Sequence, residues 1–389
     1  MMQPNFLNSF VRPLYVMVKP TGALCNLACR YCYYLEKEQL YGHGIKAMDE
    51  ELLHDFIRQY ISSQTMREVL FTWHGGEPLL LPISFYRKAL ELQEKYAGWH
   101  VIDNCIQTNG TLITDEWAEF FAENHFLVGV SIDGTQEMHD RYRHRKDGRS
   151  SWEAVMRGIE ILNRHGADWN ALAVVNDFNV TRPEEFYSFF KNIGCHYIQF
   201  TPIVERTPEG TLTDESITPE AWGNFLCRVF DQWVKSDIGE YFVQIFDATL
   251  ANWANVAPGV CSLSPTCGDA LALEHNGDLY ACDHFVFPAY KLGNIKESPM
   301  LSLVNGSQQE QFRQLKQTLP RQCRECQWLK LCHGECPKNR FVADRYGEPG
   351  LNWLCKGYRQ FFEHSAKAMQ MMKAELDAGL PPSNIMNKL

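Results

Sequence analysis

Between residue 14 and about residue 235, short apolar runs alternate with segments of helical periodicity, and no other feature constrains the fold as strongly. This alternation is typical of a parallel sheet whose strands are joined by crossover helices, so it predicts an α/β fold with six strand–helix units. Asp49, Thr114 and Thr218 are predicted to cap helices at their N-termini. The predicted strands are residues 14–18, 69–73, 102–107, 127–131, 169–175 and 197–201.

Polar or glycine-rich segments directly follow most of the predicted strands. The sequence His-Gly-Gly-Glu-Pro occupies residues 74–78, after the second strand, and Gln-Thr-Asn-Gly-Thr occupies residues 107–111, after the third. Ligands of parallel α/β proteins bind at the carboxyl ends of the strands. A single glycine after a strand is usually turn chemistry, but the recurrence of such loops at one end of the sheet predicts a binding site there.

The composition limits the classes of partner. The chain has 389 residues, of which 45% are hydrophobic, and a formal net charge of −10. This negative charge argues against nucleic acid or an anionic membrane surface as the main partner, which leaves small molecules and polypeptides. The N-terminus carries no signal-peptide pattern and no apolar run reaches about 18 residues, so we expect a cytoplasmic protein that does not enter a membrane.

Three cysteines, Cys25, Cys29 and Cys32, stand close together after the first predicted strand. Three thiolates at this spacing can hold a four-iron cluster in which one iron has no protein ligand. An iron with an open position implies chemistry, as an open position does in a catalytic zinc site. The alternative interpretation of these residues is a structural zinc knuckle or a set of buried thiols.

A second cysteine-rich region begins where the strand–helix alternation ends, which predicts one domain at residues 1–240 and another at residues 241–389. On spacing alone, zinc and iron–sulfur clusters are equally good interpretations of this region. Asn276 and Gly277 predict a tight hairpin turn in which both residues have positive φ. The cysteines of the region are Cys261, Cys267, Cys282, Cys323, Cys326, Cys332, Cys336 and Cys355.

The first three cysteines, with the aromatic Tyr31 before the third, resemble the signature of the radical S-adenosylmethionine (SAM) enzymes. The resemblance implies a partial (β/α)6 barrel, a [4Fe-4S] cluster held by these cysteines, and SAM bound to the open iron. It also implies that Gly75, Gly76 and Glu77 meet the SAM amino group. In the same matching, Ser131 and Arg143 contact the ribose and carboxylate of SAM, and Val204 packs near its adenine.

The second cysteine region resembles the SPASM extension of radical SAM enzymes that modify peptides, which holds two auxiliary [4Fe-4S] clusters. The resemblance therefore implies three clusters in all. It assigns Cys261, Cys267, Cys282 and Cys336 to the first auxiliary cluster. It assigns Cys323, Cys326, Cys332 and Cys355 to the second.

Over essentially its whole length the sequence is similar to the anaerobic sulfatase-maturating enzymes, particularly the Bacteroides-type members. The similarity is carried by the sequence Trp-His-Gly-Gly-Glu at residues 73–77 and Asp-His-Phe-Val-Phe at residues 283–287. It implies oxidation of a cysteine or serine of an unfolded sulfatase polypeptide to Cα-formylglycine in an oxygen-poor setting. A flavodoxin- or ferredoxin-like protein would donate electrons, and Asp283 would act as the base. Other branches carry Gln at the position of His74, which leaves the role of that side chain open.

Two alternative functions remain at the level of sequence. The first is a different SPASM enzyme, for example one that forms thioether crosslinks in a small peptide. The second is a non-enzymatic protein that transfers electrons through iron–sulfur clusters or uses its cysteines as a zinc scaffold.

Overall fold

The computed structural model of the chain describes residues 14–41 and 47–388. Among these residues, the strands are β1 Leu14–Lys19, β2 Glu68–Trp73, β3 Val101–Thr108, β4 Leu127–Ser131, β5 Trp169–Val175, β6 Tyr197–Pro202, β7 Phe242–Val243, β8 Asp269–Glu274, β9 Asp278–Tyr280, β10 Lys291–Asn294, β11 Val342–Ala343 and β12 Pro349–Leu351. All six predicted strands are confirmed to within one residue at each end.

The α-helices of the described residues are α1 Tyr34–Tyr41, α2 Glu50–Ser62, α3 Ile83–Tyr96, α4 Asp115–Glu123, α5 Gln136–His139, α6 Trp152–His165, α7 Pro183–Asn192, α8 Pro219–Ser236, α9 Gln244–Trp253, α10 Met300–Val304, α11 Ser307–Leu315, α12 Arg321–Arg324, α13 Leu329–Cys332 and α14 Cys355–Asp377. Short 3-10 helices lie at Pro78–Leu80, Asn179–Thr181, Cys261–Leu263, Asp283–Phe285, Pro288–Tyr290, Pro337–Asn339 and Pro382–Asn387. Within this described part of the chain, no helix is both long and apolar enough to cross a lipid bilayer.

The three predicted N-caps are confirmed. Asp49 Oδ1 accepts a hydrogen bond of 2.7 Å from Leu52 N at the start of α2. The hydroxyl oxygens of Thr114 and Thr218 accept in the same way at the starts of α4 and α8. These short polar side chains satisfy backbone N–H groups that have no partner inside the helix, which is why the helices begin at these residues.

By packing, the chain divides into two compact units, each of which is described by itself. The first unit holds the described residues of Met1–Val130, His144–Trp169 and Gly268–Arg313, and the second holds those of Ser131–Arg143, Asn170–Cys267 and Gln314–Leu389. These units are interleaved along the chain. They do not follow the predicted boundary between residues 240 and 241, which was drawn on sequence patterns and stays a prediction.

The first unit is built on a sheet of order β10-β9-β8-β1-β2-β3-β4. Strands β8, β1, β2, β3 and β4 run parallel, and β9 and β10 extend the sheet in antiparallel fashion. The parallel register places Lys19, the last residue of β1, beside Glu274, the last residue of β8. The core includes the rings of Tyr60 and Phe71, whose centroids are 4.9 Å apart.

The predicted hairpin of the second cysteine region is formed by β8 and β9, but its turn differs from the prediction. Gly277 has a φ of 96°, whereas Asn276 does not adopt a positive φ. Gly277 N donates to Glu274 O at 2.9 Å, which closes a turn over His275 and Asn276. A three-residue loop with one left-handed residue at its end joins the strands, in place of the two-residue turn that the Asn-Gly pair predicted.

In the second unit, β5, β6 and β7 form a parallel sheet and β11 pairs with β12. The C-terminal helix α14 packs against α8 and α9. Phe361 of α14 lies 5.8 Å from Phe230 of α8 and 5.4 Å from Phe246 of α9, measured between ring centroids. These aromatic contacts bury one apolar face of α14 against both helices.

Candidate active site

The three N-terminal cysteines lie in the loop that joins β1 to α1 in the first unit. Cys29 is buried, and Cys25 and Cys32 are half-buried. Backbone hydrogen bonds fix this loop, since Cys32 N donates to Cys29 O at 3.1 Å and Ala28 N donates to His144 O at 2.8 Å. These backbone hydrogen bonds between protein groups therefore fix the loop next to Cys29 and at Cys32.

The Cys25 thiol is supported by the loop that follows β3. Asn109 Nδ2 lies 3.7 Å from Cys25 Sγ and donates to Asn26 Oδ1 at 2.8 Å. Asn26 in turn donates through its Nδ2 to Thr111 Oγ1 at 2.8 Å. Burial raises the pKa of the Cys25 thiol. A thiolate at this position therefore needs a positively charged partner such as a metal cluster, so the donor set fits the predicted iron.

Gly75 and Gly76 are required by the close approach of the cysteine loop. Gly76 N donates to Gly22 O at 2.8 Å. A Cβ on Gly76 would lie 2.2 Å from Leu24 O, and a Cβ on Gly75, whose φ is 122°, would lie 2.9 Å from Gly22 O. The glycine pair thus admits backbone from the protein's own cysteine loop, and the predicted contact of these residues with SAM stays a prediction.

The Glu77 side chain is fully buried and occupied by protein donors. Its Oε1 accepts from Leu79 N at 2.9 Å and from Thr108 Oγ1 at 2.7 Å, and its Oε2 accepts from Asn109 N at 2.7 Å. Glu77 N donates to Leu24 O at 2.8 Å. This residue therefore ties the loops after β1, β2 and β3 to one another at the same end of the sheet.

Asp283 is the centre of a buried polar cluster in the first unit. It directly follows Cys282 and is 8% exposed. Tyr33 Oη donates to Asp283 Oδ2 at 2.6 Å, and Tyr34 Oη donates to Oδ1 at 3.3 Å. Lys37 Nζ donates to the backbone oxygen of Asp283 at 2.6 Å. Both tyrosines follow Cys32 directly, so the carboxylate and the N-terminal cysteine loop belong to one site.

Two lysines set the charge of this site. Lys19 is fully buried and forms an ion pair with Asp283, and its Nζ lies 3.3 Å from Glu274 Oε1. Burial alone would raise the pKa of the Asp283 carboxyl, but the positive charges of Lys19 and Lys37 hold that pKa well below its usual range. Burial lowers the pKa of Lys37 to about 8. Asp283 is therefore an ionised hydrogen-bond acceptor at neutral pH, with its charge balanced by ammonium groups.

His74 is a neutral imidazole with a defined tautomer. Its Nδ1 accepts from Gly75 N at 2.7 Å and lies 2.9 Å from Tyr34 Oη. Burial lowers the pKa of His74 to about 4. Because Nδ1 accepts a hydrogen bond from the backbone, the ring proton is assigned to Nε2. With its proton on Nε2, His74 can only accept at Nδ1, so the single hydroxyl proton of Tyr34 is shared between His74 Nδ1 at 2.9 Å and Asp283 Oδ1 at 3.3 Å.

In the second unit, four cysteines line one cavity of about 260 Å³. They are Cys323, Cys326, Cys332 and Cys355, the set that the SPASM resemblance assigns to the second auxiliary cluster. Residues 14–41 and 47–388 contain no group of three or more His, Cys, Asp or Glu side chains arranged around a single metal ion. The four thiols face a shared cavity, which fits a thiolate-bound cluster.

Comparison with known proteins places these features in a family. A model described as the radical SAM superfamily matches residues 20–190, and one described as an iron–sulfur cluster-binding domain, SPASM, matches residues 265–327. A serine-type anaerobic sulfatase-maturating enzyme of Bacteroides thetaiotaomicron is 58% identical over 98% of this chain and 96% of that protein. The chain belongs to the anaerobic sulfatase-maturating enzymes.

Two further relatives show that the family likeness extends across its branches. A cysteine-type anaerobic sulfatase-maturating enzyme of Clostridium novyi is 32% identical over 91% of this chain and 95% of that protein. The structure of native anSMEcpe with bound AdoMet and Cp18Cys peptide matches with a TM-score of 0.85 and 29% identity, over 94% of this chain and 99% of that one.

Membership of the sulfatase-maturating family confirms several predictions. The chain has the radical SAM fold followed by a SPASM region, and it is an enzyme. Its cofactors are a radical SAM [4Fe-4S] cluster, SAM, and the auxiliary iron–sulfur clusters of the SPASM region. The zinc interpretation of the second cysteine region was therefore not the right one.

The residues that the resemblance assigned to SAM binding do not all belong to one unit. Tyr31, half-buried in the cysteine loop, and the glycine segment belong to the first unit. Ser131, Arg143 and Val204 belong to the second unit, in which Arg143 and Val204 are buried and Ser131 ends β4. Their roles in this sulfatase-maturating enzyme stay predictions.

Sequence reasoning missed five side chains of the Asp283 cluster, namely Lys19, Tyr33, Tyr34, Lys37 and Glu274. One signal was available, since Lys19 and Glu274 are charged residues that end otherwise apolar runs. A charged residue at the end of a strand is commonly solvated, so the pattern alone does not distinguish the two cases. The register that pairs β1 with β8 brings these residues together.

Proposed function

We propose that the chain oxidises a cysteine or serine of an unfolded sulfatase polypeptide to Cα-formylglycine. The observation that carries this proposal is the buried Asp283 carboxylate, which follows the proposed cluster ligand Cys282 and is held by Tyr33 of the cysteine loop. The oxidation removes a hydrogen atom from the substrate Cβ, a proton from its thiol or hydroxyl, and one electron. The thioaldehyde formed from cysteine then takes up water and releases sulfide, whereas serine gives the aldehyde directly.

The bound groups and the protein divide this chemistry between them. When bound, SAM and the N-terminal cluster supply the 5′-deoxyadenosyl radical that takes the hydrogen atom, and an auxiliary cluster accepts the electron. Asp283 accepts the proton. Tyr33 and Tyr34 orient its two oxygens, and Lys19 keeps the carboxylate ionised. The lysines make Asp283 a weak base. Abstraction of the hydrogen atom from Cβ makes the substrate thiol or hydroxyl more acidic, so the proton is transferred to Asp283 after this abstraction.

The proposed ligands are those that the family resemblance assigned. Cys25, Cys29 and Cys32 hold the N-terminal cluster, and the two interleaved sets of four cysteines hold the auxiliary clusters. Since the Glu77 carboxylate already accepts three protein hydrogen bonds, we assign contact with the SAM amino group to backbone oxygens of residues 75–77. Ser131 and Arg143 are proposed to bind the ribose and carboxylate, and Val204 to pack near adenine.

The partners of the reaction follow from this chemistry. The substrate is an extended segment, because a folded sulfatase could not bring its side chain to a buried carboxylate. A flavodoxin- or ferredoxin-like donor supplies the low-potential electron that SAM cleavage needs. Such clusters require a reducing, oxygen-poor compartment, and we place the enzyme in the cytoplasm.

Serine is proposed as an accepted substrate residue. Identity is 58% to the serine-type enzyme of Bacteroides thetaiotaomicron and 32% to the cysteine-type enzyme of Clostridium novyi. The test is anaerobic incubation of the reconstituted enzyme with SAM, a reductant and two sulfatase-motif peptides that differ only in carrying serine or cysteine. Loss of two hydrogens from the serine peptide would also fit a crosslink, so the aldehyde is identified by its reaction with a hydrazide.

The base assignment is tested with Asp283→Asn. This variant should still cleave SAM to 5′-deoxyadenosine but should lose most formylglycine, because no carboxylate remains to take the proton. Asp278→Asn is the matched control, since Asp278 lies on β9 and pairs with Lys291 at 2.7 Å, outside the Asp283 cluster. Full product formation by Asp283→Asn would rule out its role as the base.

A further inference from the structure

The loop between Cys332 and Cys336 has an uncommon backbone conformation. Its three central residues, His333, Gly334 and Glu335, have φ values of 48°, 75° and 57°. Left-handed conformations of residues other than glycine are unfavourable and persist only where the surroundings hold them. The two ends of this loop are proposed ligands of different auxiliary clusters, so its shape decides how the two ligand sets are placed relative to one another.

Arg340 holds this loop from one side. Its guanidinium donates to the backbone oxygens of all three left-handed residues, through Nε to Gly334 O at 2.7 Å and through Nη2 to His333 O at 2.8 Å and Glu335 O at 2.9 Å. A Cβ on Gly334 would lie 2.4 Å from Arg340 Nη2. A planar donor with five N–H groups can satisfy three converging carbonyls, which a lysine cannot do with the same geometry.

The hydrogen-bonded chain continues from Arg340 to another cysteine. Arg340 Nη1 donates to Lys316 O at 3.0 Å. Lys316 is 1% exposed, and its Nζ donates to the backbone oxygens of Cys261 and of Ser262, the latter at 2.8 Å. One continuous set of contacts thus runs from the segment of Cys261 to the loop that carries Cys332 and Cys336.

The charge of Arg340 acts on thiols of both ligand sets. Its guanidinium interacts electrostatically with Cys323 and Cys332 of the second set and with Cys267 of the first, and also with the buried carboxyl group of Glu335 in the loop itself. Thiolate-bound clusters gain negative charge on reduction, and nearby positive charge stabilises that reduced form. A cation at this position therefore raises the reduction potential of the clusters that it faces.

We propose that Arg340 is the positioning residue of the auxiliary clusters, fixing the loop that carries one ligand of each and raising their reduction potentials. This inference rests on the ligand sets of the proposed function. It predicts that assembly of the two clusters depends on one side chain that ligates neither. The geometric part requires the guanidinium, whereas the electrostatic part requires only a positive charge.

The experiment compares Arg340→Met and Arg340→Lys in the anaerobically reconstituted full chain. The wild-type protein should hold about twelve iron atoms, and Arg340→Met should lose at least about half of the eight in the auxiliary clusters. SAM cleavage without peptide should be retained in both variants, which also reports that the chain is folded. Arg321→Met is the control, because Arg321 forms an exposed ion pair with Glu325 in the same region.

The midpoint potential, followed by electron paramagnetic resonance, separates the two parts of the proposal. Auxiliary clusters remaining in Arg340→Met should titrate at lower potential than in the wild type. Arg340→Lys should lose iron but keep a potential near that of the wild type. If Arg340→Met gives no folded protein, Arg340→Lys decides: iron loss with SAM cleavage retained supports the proposal.

Two outcomes would overturn the inference in distinguishable ways. Variants with wild-type iron content and potential, in a protein that holds about twelve iron atoms, would overturn the role of Arg340 alone. A wild-type protein that holds only about four iron atoms would overturn the auxiliary ligand sets, and the role of Arg340 with them.

Discussion

Lys19 and Asp283 form a buried ion pair in the first unit, with the lysine side chain fully buried and the carboxylate side chain 12% exposed. Removing one partner from a buried pair leaves an uncompensated charge, which costs about 3–5 kcal/mol. We expect Lys19→Met to lower the free energy of unfolding by about this amount, measured by chemical denaturation of the reconstituted protein.

The control for Lys19→Met is Lys88→Met, because Lys88 and Glu91 form an exposed pair with side chains 45% and 66% accessible. Exposed pairs are screened by solvent and contribute little to stability, so the control should be nearly neutral. Adding Glu274→Gln to Lys19→Met should recover part of the lost stability. Lys19→Met leaves the carboxylates of Asp283 and Glu274 without their shared lysine, and the second substitution removes one of these two charges. Equal stability of Lys19→Met and the wild type would contradict the structural importance of the pair.

Tyr33 is expected to matter more than Tyr34 for the position of the Asp283 carboxylate. Its hydroxyl lies 2.6 Å from Oδ2, whereas that of Tyr34 lies 3.3 Å from Oδ1. A hydrogen bond to a charged group contributes about 1.5–3 kcal/mol, so Tyr33→Phe should slow formylglycine formation by roughly 10- to 100-fold. The ratio of formylglycine to 5′-deoxyadenosine should fall in Tyr33→Phe and change less in Tyr34→Phe. The reverse order would show that the shorter contact does not position the base.

Much of the fold was predictable because its signals are local. Each strand of the first six is a short apolar run, and each predicted N-cap is a single side chain next to the helix that it starts. The spacing of the cysteines indicated metal sites for the same reason, but on spacing alone zinc and iron–sulfur clusters were equally good interpretations of the second cysteine region. The hairpin turn was predicted less well, because Asn276 and Gly277 are compatible with more than one turn and the strands that they join decide between them.

The charge balance at Asp283 was not predictable from a single sequence. Tyr33 and Asp283 stand 250 positions apart, and the contact depends on how β8 and β9 join the sheet beside β1. The pairing of strands that are distant in sequence is determined by the tertiary structure and leaves no local signature in the sequence. The left-handed loop before Cys336 is a similar case, because only Gly334 among its three central residues signals positive φ.

Gly76→Ala should disrupt the N-terminal cluster without touching a ligand. The new Cβ would lie 2.2 Å from Leu24 O, so backbone of the cysteine loop must move. We expect loss of most SAM cleavage and of about four iron atoms per chain, measured by iron analysis and by 5′-deoxyadenosine formation. In the control Gly148→Ala the new Cβ meets no atom within 4 Å, although a φ of 79° disfavours a side chain, so this variant should lose some stability but keep its iron and its SAM cleavage. Normal SAM cleavage by Gly76→Ala would show that the loop tolerates the displacement.

His74 should make the stability of the protein fall as the pH falls from about 6.5 to about 4. The ring is 6% exposed. Burial and the charges of Lys19 and Lys37 lower its pKa to about 4, against the opposing effects of Asp283 and the hydrogen bond with Gln107. In the unfolded chain a histidine binds its proton near pH 6.5, so between these values the unfolded state binds more protons and is favoured. The full difference corresponds to about 3 kcal/mol.

His74→Gln removes this titration and keeps a side chain that can hydrogen-bond. Relative to the variant, the wild type should lose up to about 3 kcal/mol of stability between pH 7 and pH 4.5, measured as a shift in the midpoint of chemical denaturation. The other histidines and the acid sensitivity of the clusters affect both proteins alike, so the difference between the two curves isolates His74. Parallel curves across this range would mean that His74 has the same pKa in the folded and unfolded states, whereas a relative gain in stability of the wild type at low pH would mean that the ring is protonated in the folded protein.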